Sequence, residues 1–234
     1  MYTRILLKLS GEQLAGKFDG GIDTEFCQWL AGEIRQVQQA GAEVVIMVGG
    51  GNYARGAQLA GGGIKRVTAD HIGMLATMMN SLALTDVFEE EGLPTRCLTT
   101  IFANQVAEPF VHRLANKHLE NGRIVIVGGG SGRPYVTTDT AALILALELD
   151  CGVVMKATKV DGVYDKDPNE HDDAQKMDEM SYERAVTDGA IKVMDNAAMG
   201  MAMEHKLPII IFDALKPGNI LQAAKGVPVG TKIS

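Results

Sequence analysis

The chain has 234 residues, of which 46% are hydrophobic and 22% are charged, a balance typical of a globular protein. The formal net charge of −7 and the pI near 5.3 argue against a surface built to coat nucleic acid, though not against a small basic pocket. No run of about 18 apolar residues occurs, and a strand is predicted near the amino terminus, so we expect no membrane span, no signal peptide and a cytoplasmic location.

Predicted strands and helices alternate along the chain. Short apolar runs predict strands at 5–7, 44–48, 95–99, 123–127, 153–157 and 208–212 and at the carboxyl terminus. Helical spacing of apolar side chains predicts helices at 23–39, 67–91, 108–120, 138–149, 181–188 and 195–205, and a short one after Gly218. The polar stretch 161–179 is predicted to be a loop. This alternation predicts a mostly parallel sheet covered by helices on both faces.

The cysteines and histidines do not form a recognisable ligand set. Cys27, Cys97 and Cys151 are odd in number and scattered, which favours buried thiols in a reducing compartment over disulfides. The five histidines lack the spacing of metal ligands. We therefore expect no metal site made by protein side chains.

Four of the predicted strands run into turns rich in glycine, lysine or hydroxyl groups. These turns are Lys8-Leu9-Ser10-Gly11, Gly49-Gly50-Gly51-Asn52, Gly128-Gly129-Gly130-Ser131-Gly132 and Lys156-Ala157-Thr158-Lys159. Ligands of open α/β sheets bind beyond the carboxyl ends of the strands. Glycine there lets backbone N–H groups approach an anion. The sequence therefore predicts that several strand ends converge on one phosphate-rich ligand.

Other nucleotide-binding patterns fit less well. Residues 49–54 match the weak dinucleotide pattern G-x-G-x-x-A, but the acidic partner at the right distance, Asp70, lies inside a predicted helix. The Walker A motif G-x-x-x-x-G-K-[ST] and the protein kinase motif H-R-D do not occur. These observations argue against a dinucleotide oxidoreductase, a P-loop enzyme and a protein kinase.

Several single residues have both a structural and a functional interpretation. Lys8 can be a solvated strand end or can reach a transferring phosphoryl group, and Arg55 can be a surface arginine or a phosphate ligand. Asp70 can cap a helix or accept hydrogen bonds from a sugar. The threonines at 137–140 can cap the helix that follows them, which is compatible with an anion at the same helix end.

The segment after the predicted strand 153–157 has the most specific pattern. Lys156 and Lys159 bracket the Thr158 hydroxyl, which suits a triphosphate, and Tyr164 offers a ring for stacking on a base. The alternative is a hairpin-like turn at Asp161 and Gly162.

Together these runs resemble the amino acid kinase superfamily and, within it, the bacterial uridylate (UMP) kinases. The resemblance covers residues 4–234. The runs at 8–12, 49–52 and 160–164 resemble the wider superfamily. The runs at 70–77, 137–142 and 156–162 resemble the UMP kinases in particular.

The resemblance implies one domain over residues 1–234, folded as a three-layer αβα sandwich around a mainly parallel sheet of about eight strands. It implies transfer of the γ-phosphoryl group of MgATP to UMP in pyrimidine biosynthesis. The N-terminal part would mainly bind UMP and the C-terminal part ATP. A homohexamer, a GTP activator and a UTP inhibitor are also implied. Another phosphotransferase of the superfamily, acting on a carboxylate or carbamate, and a non-catalytic nucleotide sensor are the alternatives.

The resemblance also assigns site residues position by position. The catalytic positions are Lys8, Arg55 and Asp139. The positions that would contact ATP are Lys8, Leu9, Ser10, Gly11, Gly51, Arg55, Thr158, Tyr164 and Asp167. The positions that would contact UMP are Gly50, Asp70, Ser131, Gly132, Arg133, Pro134, Tyr135, Val136, Thr137 and Thr138. The positions of the GTP site are Gly16, Lys17, Phe18, Asp19, Gly20, Gly21, Arg96 and Arg123.

Within this assignment Asp70 would hold the ribose hydroxyls and Asp139 would orient the lysine side chain. Two positions depart from the family pattern. Arg133 stands where asparagine is expected, which either alters the uracil contact or adds a charge near the acceptor phosphate. Thr85 stands where a further arginine of the GTP site is expected.

Overall fold

The computed structural model of the chain describes residues 1–54, 59, 62–166, 170–171, 173–188 and 193–234. The strands are β1 (Arg4–Leu9), β2 (Glu43–Val48), β3 (Thr95–Thr99), β4 (Glu108–Pro109), β5 (Ile124–Gly128), β6 (Val153–Thr158), β7 (Val163–Tyr164), β8 (Lys176–Met177), β9 (Glu179–Met180), β10 (Ile209–Asp213) and β11 (Gly230–Ile233). The helices are α1 (Gly11–Leu14), α2 (Thr24–Gln39), α3 (Arg66–Glu90), α4 (His112–Glu120), α5 (Thr138–Glu148), α6 (Tyr182–Thr187), α7 (Asn196–His205) and α8 (Asn219–Ala224).

In the part of the chain that the structure describes, nine strands form the central sheet in the order β4-β3-β5-β2-β1-β6-β10-β11-β9. Every neighbouring pair is parallel except β10 with β11. The predicted mainly parallel sheet is therefore confirmed, with nine strands where about eight were expected.

Alternate side chains of the strands enter two separate cores. In β1, Leu6 packs on the face covered by α4, α5, α6 and α7, whereas Ile5 and Leu7 pack on the face covered by α2, α3 and α8. This alternation is the period-two geometry of a strand, and burial on both faces explains the nearly continuous apolar runs in the sequence. The three-layer αβα arrangement is confirmed.

Two predicted elements were wrong in part. The predicted helix 108–120 begins only at His112, and Glu108 and Pro109 instead form β4 at the edge of the sheet. Glu108 and Pro109 pair instead with Leu98 and Thr99 of β3, and the residue before a proline favours the extended conformation. The predicted loop 161–179 contains β7 and β8, which pair antiparallel with each other. The hairpin-like turn at Asp161 and Gly162 is wrong as well, because β7 pairs with β8 and not with β6.

The three cysteines are buried and free, as predicted. Burial raises the pKa of Cys27 and Cys97 to about 11 and that of Cys151 to about 12, so their thiols stay protonated near neutral pH. Among the described helices, none has the length and apolar character needed to cross a bilayer.

The turns after β1 and β2 approach each other closely. A Cβ atom on Gly11 would lie 2.6 Å from the Gly51 nitrogen and 2.4 Å from Asn52 Oδ1. Asn52 and the fully buried Asn80 of α3 exchange two side-chain hydrogen bonds of 2.8 Å, and Asn80 also donates to the Gly49 carbonyl at 2.7 Å. The glycine turn after β2 is therefore fixed from both sides.

We predict that Gly11→Ala destabilises the protein by about 1–3 kcal/mol, because the new methyl group would meet fixed backbone atoms. The matched control is Gly32→Ala in α2, where a Cβ atom meets nothing within 4 Å. This control should stabilise the protein by about 1 kcal/mol through helix propensity. Urea denaturation of the two variants measures both effects, and the same sign of change in both would contradict the packing argument.

Candidate active site

The four predicted turns meet at one edge of the sheet. Strands β5, β2, β1 and β6 are neighbours and all run parallel, so their carboxyl ends lie side by side. Ligand sites of such sheets form at this edge. The convergence that the sequence predicted is therefore present in the fold.

Two lysines on neighbouring strands share one carboxylate at this edge. Lys8 of β1 and Lys156 of β6 are register partners, so their side chains leave the same face of the sheet, toward α5. Asp139, the second residue of α5, lies between them. Its Oδ2 accepts a hydrogen bond of 2.7 Å from Lys156 Nζ, and its Oδ1 forms an ion pair of 2.8 Å with Lys8 Nζ outside hydrogen-bond geometry.

Burial and charge compete in this cluster. The side chains of Lys8, Asp139 and Lys156 are only 10%, 15% and 17% exposed. Burial acts to raise the pKa of Asp139, but the two ammonium groups outweigh it and hold that pKa below its usual value. Burial and repulsion by Lys8 lower the pKa of Lys156, although Asp139 opposes the shift. Asp139 is therefore held as a carboxylate between two cations.

The amino terminus of α5 brings Asp139 to this position. Thr137 caps the helix, and its hydroxyl oxygen accepts hydrogen bonds from the Asp139 and Thr140 N–H groups at 3.1 and 3.2 Å. The cap predicted from the sequence is thus present. The positive end of the α5 dipole faces the carboxyl ends of the strands.

A cleft of about 200 Å³ lies at the same edge of the sheet and is lined by Thr138, the neighbour of Asp139 in the chain. Its lining residues come from the turns after β2 and β5, from α3 and from the amino end of α5, and they are Gly50, Gly51, Ala54, Asp70, Gly73, Met74, Thr77, Gly130, Arg133, Val136 and Thr138. The cleft brings together five of the predicted UMP contacts, namely Gly50, Asp70, Arg133, Val136 and Thr138. The other five, Ser131, Gly132, Pro134, Tyr135 and Thr137, belong to the same loop but do not line it.

Asp70 lines this cleft, and its carboxylate is held by hydrogen bonds from the same chain. Its two carboxylate oxygens share one bifurcated hydrogen bond from Arg66 Nε at 2.8 and 2.9 Å, and Oδ2 also accepts from the Tyr135 N–H at 2.8 Å. The Arg66 guanidinium also lies 5.4 Å from the centre of the Tyr135 ring. Asp70 thereby ties the loop after β5 to the start of α3, and sequence reasoning did not single out Arg66.

The predicted ATP contacts are only partly described. Lys8, Leu9, Ser10, Gly11 and Gly51 lie at the junction of the turns after β1 and β2, and the buried Leu9 can offer only its backbone. Thr158 donates to the Val160 carbonyl at 2.6 Å, and the Tyr164 hydroxyl donates to Asp161 at 2.6 Å. Arg55 and Asp167, two further predicted positions, lie outside the described residues.

The predicted GTP positions are not brought together within one chain. The loop 16–21 follows α1, and Asn52 holds it by donating to the Gly21 carbonyl at 2.6 Å. Arg96 is near the amino end of β3 and Arg123 precedes β5, so both lie toward the opposite edge of the sheet. Arg96 pairs with Glu89 at 2.6 Å, and Arg123 contacts His118 Nδ1 at 3.0 Å. The predicted GTP site stays a prediction.

Two residues of the cluster were absent from the predicted site. Lys156 was recognised only as one of two lysines around Thr158, whereas in the structure it contacts Asp139 and donates to the Val193 carbonyl at 2.6 Å. Asp195 accepts hydrogen bonds from the hydroxyls of Thr137 and Thr140. The alignment of two strand-end lysines could have pointed to Lys156, but no sequence signal links Asp195 to residues more than fifty positions earlier.

Comparison with known proteins gives consistent matches over nearly the whole chain. The model of the amino acid kinase family matches residues 3–213. The chain is 48% identical over 230 residues to a uridylate kinase of Dichelobacter nodosus (strain VCS1703A), covering 98% of this chain and 95% of that one. The solved UMP kinase of Bacillus anthracis is 39% identical with a TM-score of 0.95, covering 100% and 96% of the two chains. The solved UMP kinase of Ureaplasma parvum is 30% identical with a TM-score of 0.93, covering 100% and 99%.

We predict that Asp139→Asn costs about 3–5 kcal/mol of stability at neutral pH, because it leaves two buried ammonium groups without their shared anion. The pKa of Asp139 is lowered in the folded state, so this stabilisation is present above the unfolded pKa of about 3.9. It is lost as the pH falls through the lower folded-state pKa.

Urea denaturation at a series of pH values measures this loss. The stability difference between wild type and Asp139→Asn should be constant from roughly pH 5 to neutrality and should shrink in stronger acid. The exposed Asp150→Asn variant is the control and should change the stability little at neutral pH. A difference for Asp139→Asn that does not depend on pH would contradict the ion-pair account.

Proposed function

Because this chain belongs to the amino acid kinase family and, within it, to the uridylate kinases, we propose that it transfers the γ-phosphoryl group of MgATP to UMP, giving UDP and ADP. The observation that carries the proposal is the pair of lysines held by Asp139 next to the cleft of Gly50, Asp70 and Thr138. Two cations beside a polar cleft at the strand ends are what a transfer between two phosphate groups requires.

The chemistry needs charge neutralisation more than proton transfer. The attacking group is a phosphate oxygen of UMP, whose second pKa is about 6, so it is mostly ionised at neutral pH. A strong general base is therefore unnecessary. The obstacle is the approach of one anion to another, and fixed ammonium groups and backbone N–H groups lower it without reorganising.

Asp139 is suited to orient the lysines and not to remove a proton. Both of its oxygens lie against ammonium groups, and its pKa is lowered, so it is a weak base. We assign Lys8 to the transferring phosphoryl group, since it extends from the strand whose turn is packed against Gly51.

The two nucleotides are assigned to different parts of one domain. The cleft that fits the acceptor is lined by residues between Gly50 and Thr138. Thr158 instead ends β6, and the N–H of Val163, next to Tyr164, donates to Thr231 of β11, on the side of the sheet away from β2 and β5. This supports UMP binding mainly by the N-terminal part and ATP binding mainly by the C-terminal part.

Magnesium is assigned to the substrate MgATP. In the described ranges, no group of three or more His, Cys, Asp or Glu side chains is placed to hold a metal ion. Mg²⁺ commonly keeps several waters and binds through substrate phosphates, which supports its entry with ATP.

We also propose a homo-oligomer that works in the cytoplasm. The support for the oligomer is an apolar strip on α3, where Leu75 and Met79 lie one turn apart and are 53% and 46% exposed. Exposed apolar side chains at such spacing suit contact with a second helix. The paired state of Arg96 lends no support to GTP activation.

We predict selective conversion of UMP when the protein is incubated with MgATP and each of UMP, CMP, AMP and GMP. In the same assay Lys8→Ala should lower kcat for UMP by roughly 100-fold or more, the scale of removing a preorganised charge stabiliser. Separation of the nucleotide products by chromatography measures both results.

The matched control is Lys225→Ala, which removes an exposed lysine at the far end of α8 and should leave kcat unchanged. Binding of UMP and ATP without turnover would instead support a nucleotide sensor. Phosphorylation of a carboxylate or carbamate but not UMP would support another phosphotransferase of the family.

We further predict that Asp70→Asn raises the KM for UMP by about 10-fold and leaves the KM for ATP nearly unchanged, since charged hydrogen bonds to a ligand are worth more than neutral ones. Asp86→Asn on the exposed side of the same helix is the control. Initial rates at varied UMP and varied ATP give the two constants, and equal increases in both would rule out an acceptor-side role for Asp70.

A further inference from the structure

The segment just before α7 contacts the lysine pair and the amino end of α5 at the same time. Val193 accepts a hydrogen bond of 2.6 Å from Lys156 Nζ through its carbonyl oxygen. Two residues on, Asp195 accepts hydrogen bonds from the hydroxyls of Thr137 and of Thr140, the latter at 2.7 Å. A segment late in the chain therefore holds both partners of the Lys156–Asp139 pair.

A continuous series of hydrogen bonds joins Asp195 to Asp139. The Thr137 hydroxyl has one proton, and it donates that proton to Asp195 Oδ2. Its oxygen is then oriented to accept from the N–H groups of Asp139 and Thr140. Asp195 thus sets the direction of the hydroxyl that caps the first turn of α5, from which the Asp139 side chain extends.

Helix capping alone does not account for the carboxylate of Asp195. Its Oδ1 caps α7 by accepting from the Ala198 N–H at 3.0 Å and also accepts from Thr140, while Oδ2 accepts from Thr137. Serine or asparagine would cap the helix about as well. The second oxygen is directed to α5 and has no part in capping α7.

The negative charge of Asp195 also supports a role for this residue at the lysine pair. Burial acts to raise the pKa of Asp195, but its hydrogen bonds from Thr137, Ala198 and Thr140 outweigh burial and lower it. The resulting anion is one of the charges that raise the pKa of Lys156 and so oppose the effect of burial there.

We propose that Asp195 is a positioning residue of the phosphoryl-transfer site, acting through Thr137 and Thr140 on Asp139 and through its charge on Lys156. The inference rests on the proposed function, because its effect is measured as phosphoryl transfer. In this proposal, the segment before α7 keeps both lysines aligned with the transferring phosphoryl group.

The test compares Asp195→Asn and Asp195→Ser with wild type, using MgATP and UMP. Both variants retain a capping side chain for α7, but neither keeps the two-oxygen bridge with its charge. We expect kcat to fall roughly 10- to 100-fold, the scale of a misplaced reacting group, while the KM for ATP stays within about twofold.

The pH profile of kcat provides a readout that a purely structural role would not move. Lys156 faces the charges of Asp139 from α5, Lys8 from β1 and Asp195 from the start of α7. Loss of the Asp195 charge lowers the pKa of Lys156, so the alkaline limb of the kcat profile should move to lower pH in both variants. Ser181→Ala is the control, since it removes the cap of α6 and should lower the urea midpoint without changing kcat or the profile.

The outcomes separate the inference from the proposed function. If wild type makes UDP and Asp195→Ser keeps kcat within twofold with an unmoved alkaline limb, Asp195 is only a cap and the inference is overturned. A rise in the KM for UMP with unchanged kcat also overturns it. If wild type makes no UDP, the proposed function itself fails.

Should the Asp195 variants not fold, Thr140→Val removes one arm of the bridge and should lower kcat, with Thr140→Ser restoring it.

Discussion

The site depends on one electrostatic arrangement, in which two nearly buried ammonium groups share the carboxylate of Asp139. Burying charge is costly unless the geometry of the pair is good and the remaining protons find acceptors. Here the register of β1 and β6 fixes the two lysines, and the cap of α5 fixes the carboxylate. The Val193 carbonyl accepts a further hydrogen bond from Lys156 Nζ. The result is a pair of cations presented at the edge of the sheet.

The turns along the same edge of the sheet leave the lysine pair accessible to two polyanionic nucleotides. Gly11 allows the turn after β1 to touch the turn after β2, and the Asn52–Asn80 amide pair holds the second turn against α3. The cleft beside it carries polar groups from three separate segments. Because these turns are fixed before any ligand arrives, the backbone N–H groups need little reorganisation when phosphate charge develops.

The errors in the predicted elements have local and non-local causes. Pro109 is a local signal that favours an extended segment, and the Phe110 N–H then donates to Thr99 as an edge strand continues. The pairing of β7 with β8 is non-local. Its partners are more than ten residues apart across a polar stretch without alternating apolar side chains, so the sequence pattern carried no sign of it.

The sequence by itself determined the order of the longer strands and helices, the burial of the sheet on both faces, the turns at the strand ends and the family. These features depend on residue types at short spacing, where backbone sterics and the apolar period act directly. Only the tertiary structure decided that Lys156 and not the exposed Lys159 joins Lys8, that Arg66 holds Asp70, and that Asp195 reaches α5. Each of these contacts joins side chains whose distance is set by sheet register and helix packing, and charge alone does not reveal which of several equivalent residues the packing selects.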